Sequence, residues 1–512
     1  MTLAKASIEW AIDFIYHHSD GDLFPKVLEL AAVQERKGEF ANEIAGKPLS
    51  GFKPGPHRRF IVPKDEVSFR QATQLTPLDS IILSAIAYEF GGGIEARRRK
   101  SDQVFSYRFK PSAEHGLYNS HSAWNDFWKT AQRRASRAGA VLYCDIADFY
   151  NQIYHHTLEN QLIASGFPNQ ATKWVISLME STTAGVSRGV PVGPHATHLF
   201  AEASLIPIDN SMADSGIEFV RFADDIIVFS DDFKQARKAL SRVASILDRQ
   251  QRLTPQRHKT ELFTPESFVA RCAEMIEDRP ISESEDRILG VLRRYTGGNP
   301  YISISYNDIS EKDWAAFSEA AVSKVIAEYL GSKDVDYIRL RWFYRRLAQI
   351  GNPGAIDITL KNIEFLTPCF ASICTYLSSV QGITREKWQE IGSDLLNLLQ
   401  LEEIRESEYF RLSILSLFTR NSDINHFAAL GRGYAGSDTF AKREITLAAK
   451  VNGANDWLRE LKEDFGGMDY WQRLAYLFCC RGFPLDERKY FVNRLEFEDV
   501  FMDQLARWAK SN

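Results

Sequence analysis

The chain has 512 residues, 44% of them hydrophobic and 25% charged, with 62 basic against 67 acidic side chains and a formal net charge of −5. That length predicts two or three domains, each able to bury its own core, and the slightly acidic balance excludes a generally basic nucleic-acid coat, so affinity for nucleic acid has to come from a local patch. No apolar run approaches the roughly 20 residues of a bilayer span; Lys5, Glu9 and Asp13 interrupt the first apolar stretch, and the 6 cysteines follow neither a disulfide framework nor a zinc spacing, which together predict a cytoplasmic protein with reduced thiols and no membrane.

In chain order, residues 1–60 open with an amphipathic helix in which Ile8, Ala11, Ile12 and Ile15 recur on one face. The connector Gly51-Phe52-Lys53-Pro54-Gly55-Pro56 leads to a first basic cluster, His57-Arg58-Arg59, followed by Lys64 and Arg70. Pro77-Leu78-Asp79-Ser80 starts a second helix, and Gly91-Gly92-Gly93 is expected to stop it. A phosphate-binding role for these glycines lacks support, because no strand precedes them and no Lys-Ser/Thr follows. From Ala140 to about Glu285 strands and helices alternate, and beyond Gly297-Gly298-Asn299-Pro300 the pattern is almost wholly helical. The fold class is therefore α+β, with a mixed domain over 1–285 and an all-α domain over 286–512 that suggests a HEAT-like or bundle module. In the helical half, Trp342, Phe343, Trp388, Trp457, Trp471 and Trp508 are most simply core.

Two acidic segments stand out. Phe219–Phe222 and Ile226–Phe229 bracket Ala223-Asp224-Asp225, the pattern of a β-hairpin with two carboxylates at its turn. Earlier, the apolar run Val141-Leu142-Tyr143-Cys144 ends in Asp145, as a strand would. Adjacent carboxylates repel at neutral pH and are tolerated best with a divalent cation between them. A pair of cations roughly 3.5–4 Å apart is what transfer of a nucleotidyl group to an alcohol needs, one on the nucleophile and one on the leaving pyrophosphate. Asp145 and Asp224 can bridge both from separate strands, with Asp225 in support, while Asp148 reads as a local structural acid.

The order of these pieces resembles the reverse transcriptase family over roughly residues 55–270. Arg70 precedes the helix-opening Asp79; Asp145 with Tyr150 follows; then come Gly189-Val190-Pro191-Val192-Gly193-Pro194, Phe222-Ala223-Asp224-Asp225 and Lys259-Thr260. The resemblance implies a fingers and palm domain with Asp145, Asp224 and Asp225 as catalytic metal ligands, the carbonyl of Ile146 on the nucleotide-side ion, and two Mg²⁺ ions for which Mn²⁺ could substitute. It implies further that Tyr150 closes over the sugar and favours deoxynucleotides, that Arg70 holds the triphosphate with help from Arg59 or Lys64, and that Lys259 donates a proton to pyrophosphate. Phe222 stands where the family usually has Tyr, Val192 replaces a frequent Gln, and Thr197-His198 replaces a frequent Ser-Pro. None of these positions binds metal. His195 and His198 read as satisfied polar residues rather than ligands.

A typical member follows its palm with a short thumb, whereas here more than two hundred residues of helical pattern follow. With the opening Asp20-Gly21-Asp22-Leu23-Phe24-Pro25, this looks like the bacterial abortive-infection reverse transcriptases, in which a HEAT-like region replaces the thumb. That resemblance implies an anti-phage DNA polymerase that uses dNTPs without a template, starts on a tyrosine hydroxyl so that the DNA product stays covalently attached, and forms homo-oligomers. Tyr16 and Tyr434 are candidate primers. The alternative is a conventional RNA-templated, primer-dependent enzyme of retron type.

Overall fold

A computed structural model describes residues 1–19, 23–65, 67–114, 116–119, 122–276, 280–296 and 304–511. Asp20–Asp22 of the opening motif and the Gly297–Pro300 breakpoint lie outside the described residues. The chain divides into two compact units: Met1–Asp22, Lys26–Arg58 and Thr73–Asp278 form the first, and Leu23–Pro25, Arg59–Ala72 and Arg279–Asn512 the second. The segment Arg59–Ala72 counts with the helices because Phe60, Val62 and Ala72 are built into their apolar core.

Strands β1 (Arg58–Pro63) and β2 (Phe69–Gln74) pair as a ribbon, as do β3 (Phe109–Ser112) and β4 (Gly116–Tyr118). The remaining strands, β5 (Ala140–Asp145), β6 (Glu218–Phe222), β7 (Asp225–Ser230) and β8 (Glu261–Phe263), make a four-stranded sheet in the order β6-β7-β5-β8. Each pairing in it is antiparallel, and the register sets Ala140 opposite Ser230 and Asp145 opposite Asp225. β5 is buried along its whole length, which is why it reads as an unbroken apolar run rather than an alternating one. Val141, Tyr143, Val220, Ile227 and Phe229 pack there with Phe127, Trp128, Phe268 and Cys272 from two flanking helices. That core fixes the strands, so the residues at their ends are held where the register puts them.

The first helix, Lys5–His18, buries Ile8, Ala11, Ile12 and Ile15 as its periodicity predicts. The second begins at Pro77 with Thr76 as its cap, the Thr76 hydroxyl accepting from the Asp79 amide while the Asp79 carboxylate takes the amide of Gly55 at 2.8 Å. It runs to Arg97, straight through Gly91-Gly92-Gly93, and so corrects the expected stop. These glycines admit neighbours: a Cβ on Gly93 would lie 1.9 Å from the carbonyl oxygen of Ser165, and one on Gly91 would lie 2.7 Å from Leu199. Close packing explains Gly91 and Gly93, whereas a Cβ on Gly92 would meet nothing within 4 Å.

In the second unit the helices Tyr337–Ile350, Phe370–Ser379, Glu408–Phe418, Thr439–Val451, Tyr470–Cys480 and Val500–Lys510 pack each against the next. Phe343, Trp388, Trp471 and Trp508 are buried as expected. Trp342 is not: it is 37% exposed, on the side of its helix away from buried Leu340, Phe343, Tyr344 and Leu347. All 6 cysteines are free. Among the described residues, no helix is long and apolar enough to cross a membrane.

Candidate active site

The acidic corner sits where β5, β6 and β7 end together. β6 stops at Phe222 and β7 starts at Asp225, with Phe222 and Asp225 paired, so Ala223 and Asp224 form a two-residue hairpin turn. Ala223 takes a φ of 49°, the left-handed conformation that the first position of such a turn demands and that a residue with a Cβ adopts at a cost of about 1 kcal/mol. Asp145 and Asp225 face each other across the strands. Because the amide of Ile146 bonds the carbonyl of Asp224 one step further on, at 3.1 Å, the Asp145–Asp225 pair is of the non-hydrogen-bonded kind, in which side chains approach most closely.

The electrostatics are crowded. Burial, reinforced by the charges of Asp225 and Asp145, pushes the Asp224 carboxyl up to about 7. Burial also raises Asp225, against the pull of the hydroxyl that Tyr143 donates to it, with the charge of Asp145 adding to the rise. Asp145 is buried to 5% exposure and accepts from Nζ of Lys259 at 2.7 Å. Burial opposes the Lys259 charge, but that bond and the three nearby carboxylates outweigh it and hold the ammonium above its usual pKa.

Among the described residues, no three His, Cys, Asp or Glu side chains close on one point as a ready-made ligand cage. Asp145 is turned to Lys259 and Asp225 to Tyr143. The donor set nonetheless fits divalent cations: acidic groups of β5 and of the turn meet at one strand end, burial and then their mutual repulsion raise Asp224, and an ammonium already stands on Asp145 where a metal charge would serve. The Ile146–Pro255 bridge is made through the neighbouring residues, Ala147 amide to Thr254 and Gln256 amide to Asp145, so neither of these bonds uses the Ile146 carbonyl. Asp148, by contrast, caps the short helix Phe149–Gln152 and is held by Asn151 at 2.7 Å and Gln152 at 3.1 Å.

Tyr150 follows on that short helix, its hydroxyl 2.6 Å from Nδ1 of His198. Gly189 and Gly193 take φ values of 105° and 135°, which favour glycine. The bend between them is tied down by the amides of Gly189 to Ile153 at 2.8 Å and of Val190 to Tyr150 at 2.9 Å. Phe222 packs among Trp124, Phe127 and Tyr107. Lys259, Tyr150 and the three aspartates all belong to the first unit, whereas Arg59, Lys64 and Arg70 belong to the second. Among the described residues the buried Nε of Arg70 has no hydrogen-bond partner, and Arg59 donates to Gln71 at 2.8 Å.

Sequence reasoning passed over a buried ion cluster under the turn. Arg221 is fully buried and spends all five of its N–H donors: Nε and Nη2 on Asp209 at 2.7 and 2.6 Å, Nη1 and Nη2 on Glu202 at 3.2 and 2.9 Å, and Nη1 again on the carbonyl of Ala223 at 2.8 Å. Arg98 joins Glu202 from the other side at 2.7 Å. The signal was available, since Glu202 and Asp209 lie seven apart on one face of the apolar helix His195–Asp214 and Arg221 breaks an apolar strand.

The chain matches the family model described as reverse transcriptase (RNA-dependent DNA polymerase) over residues 62–331, more than half of its length. It belongs to the reverse transcriptase family and is a nucleotidyltransferase. The match runs past residue 270, where the motif resemblance ends, into the helical part of the chain. No curated protein sequence matches it.

Proposed function

We propose that Asp145, Asp224 and Asp225 form the catalytic centre for metal-dependent synthesis of DNA from dNTPs. The observation that carries this reading is the register that sets Asp145 against Asp225 with Asp224 beside them in a strained turn. Asp145, Asp224 and the Ile146 carbonyl would hold the ions, with Asp225 in support through its bond to Tyr143. Bound Mg²⁺ or Mn²⁺ supplies charge neutralisation at the transferring phosphoryl group and activation of the attacking hydroxyl. Lys259, which donates to Asp145 in the structure, would be the group that carries a proton to the leaving pyrophosphate. Its side chain is 60% exposed. Tyr150 presents its ring to the sugar and excludes a 2′-hydroxyl, and Arg70 holds the triphosphate, its guanidinium suited to several phosphate oxygens at once.

We further propose that synthesis proceeds without a template and begins on a tyrosine hydroxyl of the chain, in a homo-oligomeric cytoplasmic enzyme of anti-phage abortive infection. The support is architectural: after the palm the chain continues as a long row of stacked helices, which we read as HEAT-like and standing in place of a short thumb. A tyrosine hydroxyl is an alcohol that the same centre can activate like a sugar 3′-hydroxyl. Tyr16, beneath Lys26, and Tyr434, beside Trp457, are the primers to test first.

The test is to incubate the purified chain with dNTPs and Mg²⁺, adding no nucleic acid, and to record its intact mass. A ladder of additions at deoxynucleotide spacing is expected. Synthesis that strictly requires an added template and primer would instead assign the chain to the conventional templated enzymes.

A further inference from the structure

The stacking around Tyr150 points to a residue that acts on sugar choice without touching the nucleotide. A steric gate discriminates only while its ring stays put, because a tyrosine free to change rotamer can move aside for a 2′-hydroxyl at little cost. Tyr150 is held. Its hydroxyl is 2.6 Å from His198 Nδ1 and the two rings meet edge to face, with centroids 5.6 Å apart. His198 is fixed in turn: Tyr107 lies flat on its imidazole at a centroid distance of 4.1 Å and an interplanar angle of 4°. Tyr107 itself takes a φ of 46°, a conformation that persists only where the surroundings impose it. They do so through Arg98, whose Nη1 bonds the Tyr107 carbonyl at 2.9 Å and whose Nη2 bonds the Ser106 carbonyl at 2.6 Å.

We propose that His198 is a positioning residue for sugar selectivity, holding Tyr150 by its hydroxyl and ring edge while its own imidazole is fixed by the stacked face of Tyr107. This rests on the reading of Tyr150 as the residue facing the sugar. The clamp continues into the ion cluster, since Arg98 bonds Glu202 and Glu202 bonds Arg221, which holds the turn carbonyl of Ala223. The gate and the acidic turn thus share one rigid support. Burial pushes the Tyr150 pKa up and keeps the phenol protonated, and Tyr107 makes a second hydrogen bond to it. The position after Thr197 is therefore occupied by a side chain that reaches the gate.

The experiment compares kcat/KM and equilibrium nucleotide affinity for a dNTP and its ribonucleotide, in the full chain with Mg²⁺, for wild type, H198A, H198N, Y150F and H198A/Y150F. H198A should lower the deoxy-to-ribo ratio by about tenfold or more through a gain on the ribonucleotide, with kcat for the dNTP and the Mg²⁺ requirement little changed. H198N, which keeps a polar partner for the phenol, should recover part of the ratio. Y150F, which keeps the ring but loses the bonds of its hydroxyl to His198 and to Tyr107, should lower the ratio at least as far as H198A, and the double variant should fall short of the sum of the two, because the His198–hydroxyl bond is lost in both. An unchanged ratio in H198A, or additive losses in the double variant, overturns the clamp while leaving the polymerase intact. A wild-type chain that neither incorporates dNTPs nor prefers to bind them overturns both the clamp and the proposed function.

Discussion

Two groups of carboxylates lie beside the β6–β7 turn, one beneath it and one at its tip, and they differ in the cations the fold supplies to them. Glu202 and Asp209 are buried more deeply than the aspartates of the turn, yet guanidinium donors saturate them: the charges of Arg221 and Arg98 overcome burial to hold Glu202 below its ordinary pKa, while burial lifts Asp209 against the pull of Arg221. Asp145, Asp224 and Asp225 share one partly exposed lysine, and Asp224 is driven up to about 7. A carboxylate cluster with its cation built into the fold is structural. One that is short of positive charge can take an exchangeable cation, and the deficit is the functional signal.

If that contrast is right, neutralising the two groups should do different things. Asp224→Asn or Asp145→Asn should lower dNTP incorporation by about a thousandfold, roughly 4 kcal/mol of barrier, with little loss of fold. Equal incorporation by wild type and variant would break the comparison at once. Arg221→Met should act mainly on stability, costing about 3–5 kcal/mol in a urea titration, because it strands buried carboxylates. Lys259→Met should lower kcat by about a hundredfold and, by freeing Asp145, should reduce the Mg²⁺ concentration needed for half-maximal rate. Loss of rate with an increased Mg²⁺ requirement would mean that the lysine supports the site rather than competing for it.

A further effect concerns metal-free stability. A carboxyl whose folded pKa exceeds its unfolded one binds more protons in the native state, so its unfavourable contribution is absent below about pH 4, grows between pH 4 and 7, and is complete above 7. Without divalent ions the wild type should therefore lose up to about 4 kcal/mol over that window. Asp224→Asn should show a flatter profile and greater stability at pH 8, and Mg²⁺ should stabilise the wild type alone. Identical pH profiles would show that the turn is not electrostatically frustrated.

How much of this was legible in the chain differs from part to part. The hairpin and the strand ending in Asp145 announced themselves because apolar residues with acids at their ends have few other structural solutions, and the antiparallel register then brings Asp145 to Asp225. Gly91-Gly92-Gly93 misled because local propensity says nothing of the Ser165 carbonyl that packs against Gly93. The grouping of Arg59–Ala72 with the helices was invisible for a similar reason: alternation in β1 shows a buried face but not what buries it. The Tyr107–His198–Tyr150 contacts join three distant segments, and no spacing rule connects them.

The most direct measurement is Mn²⁺ binding followed by electron paramagnetic resonance of the free ion, with the full chain and a dNTP analogue that cannot be hydrolysed. Wild type should take up about two ions per chain, and Asp145→Asn/Asp224→Asn should lose that binding while remaining folded by circular dichroism. Undiminished uptake by the folded double variant would contradict the assignment of the acidic corner as the metal-dependent centre.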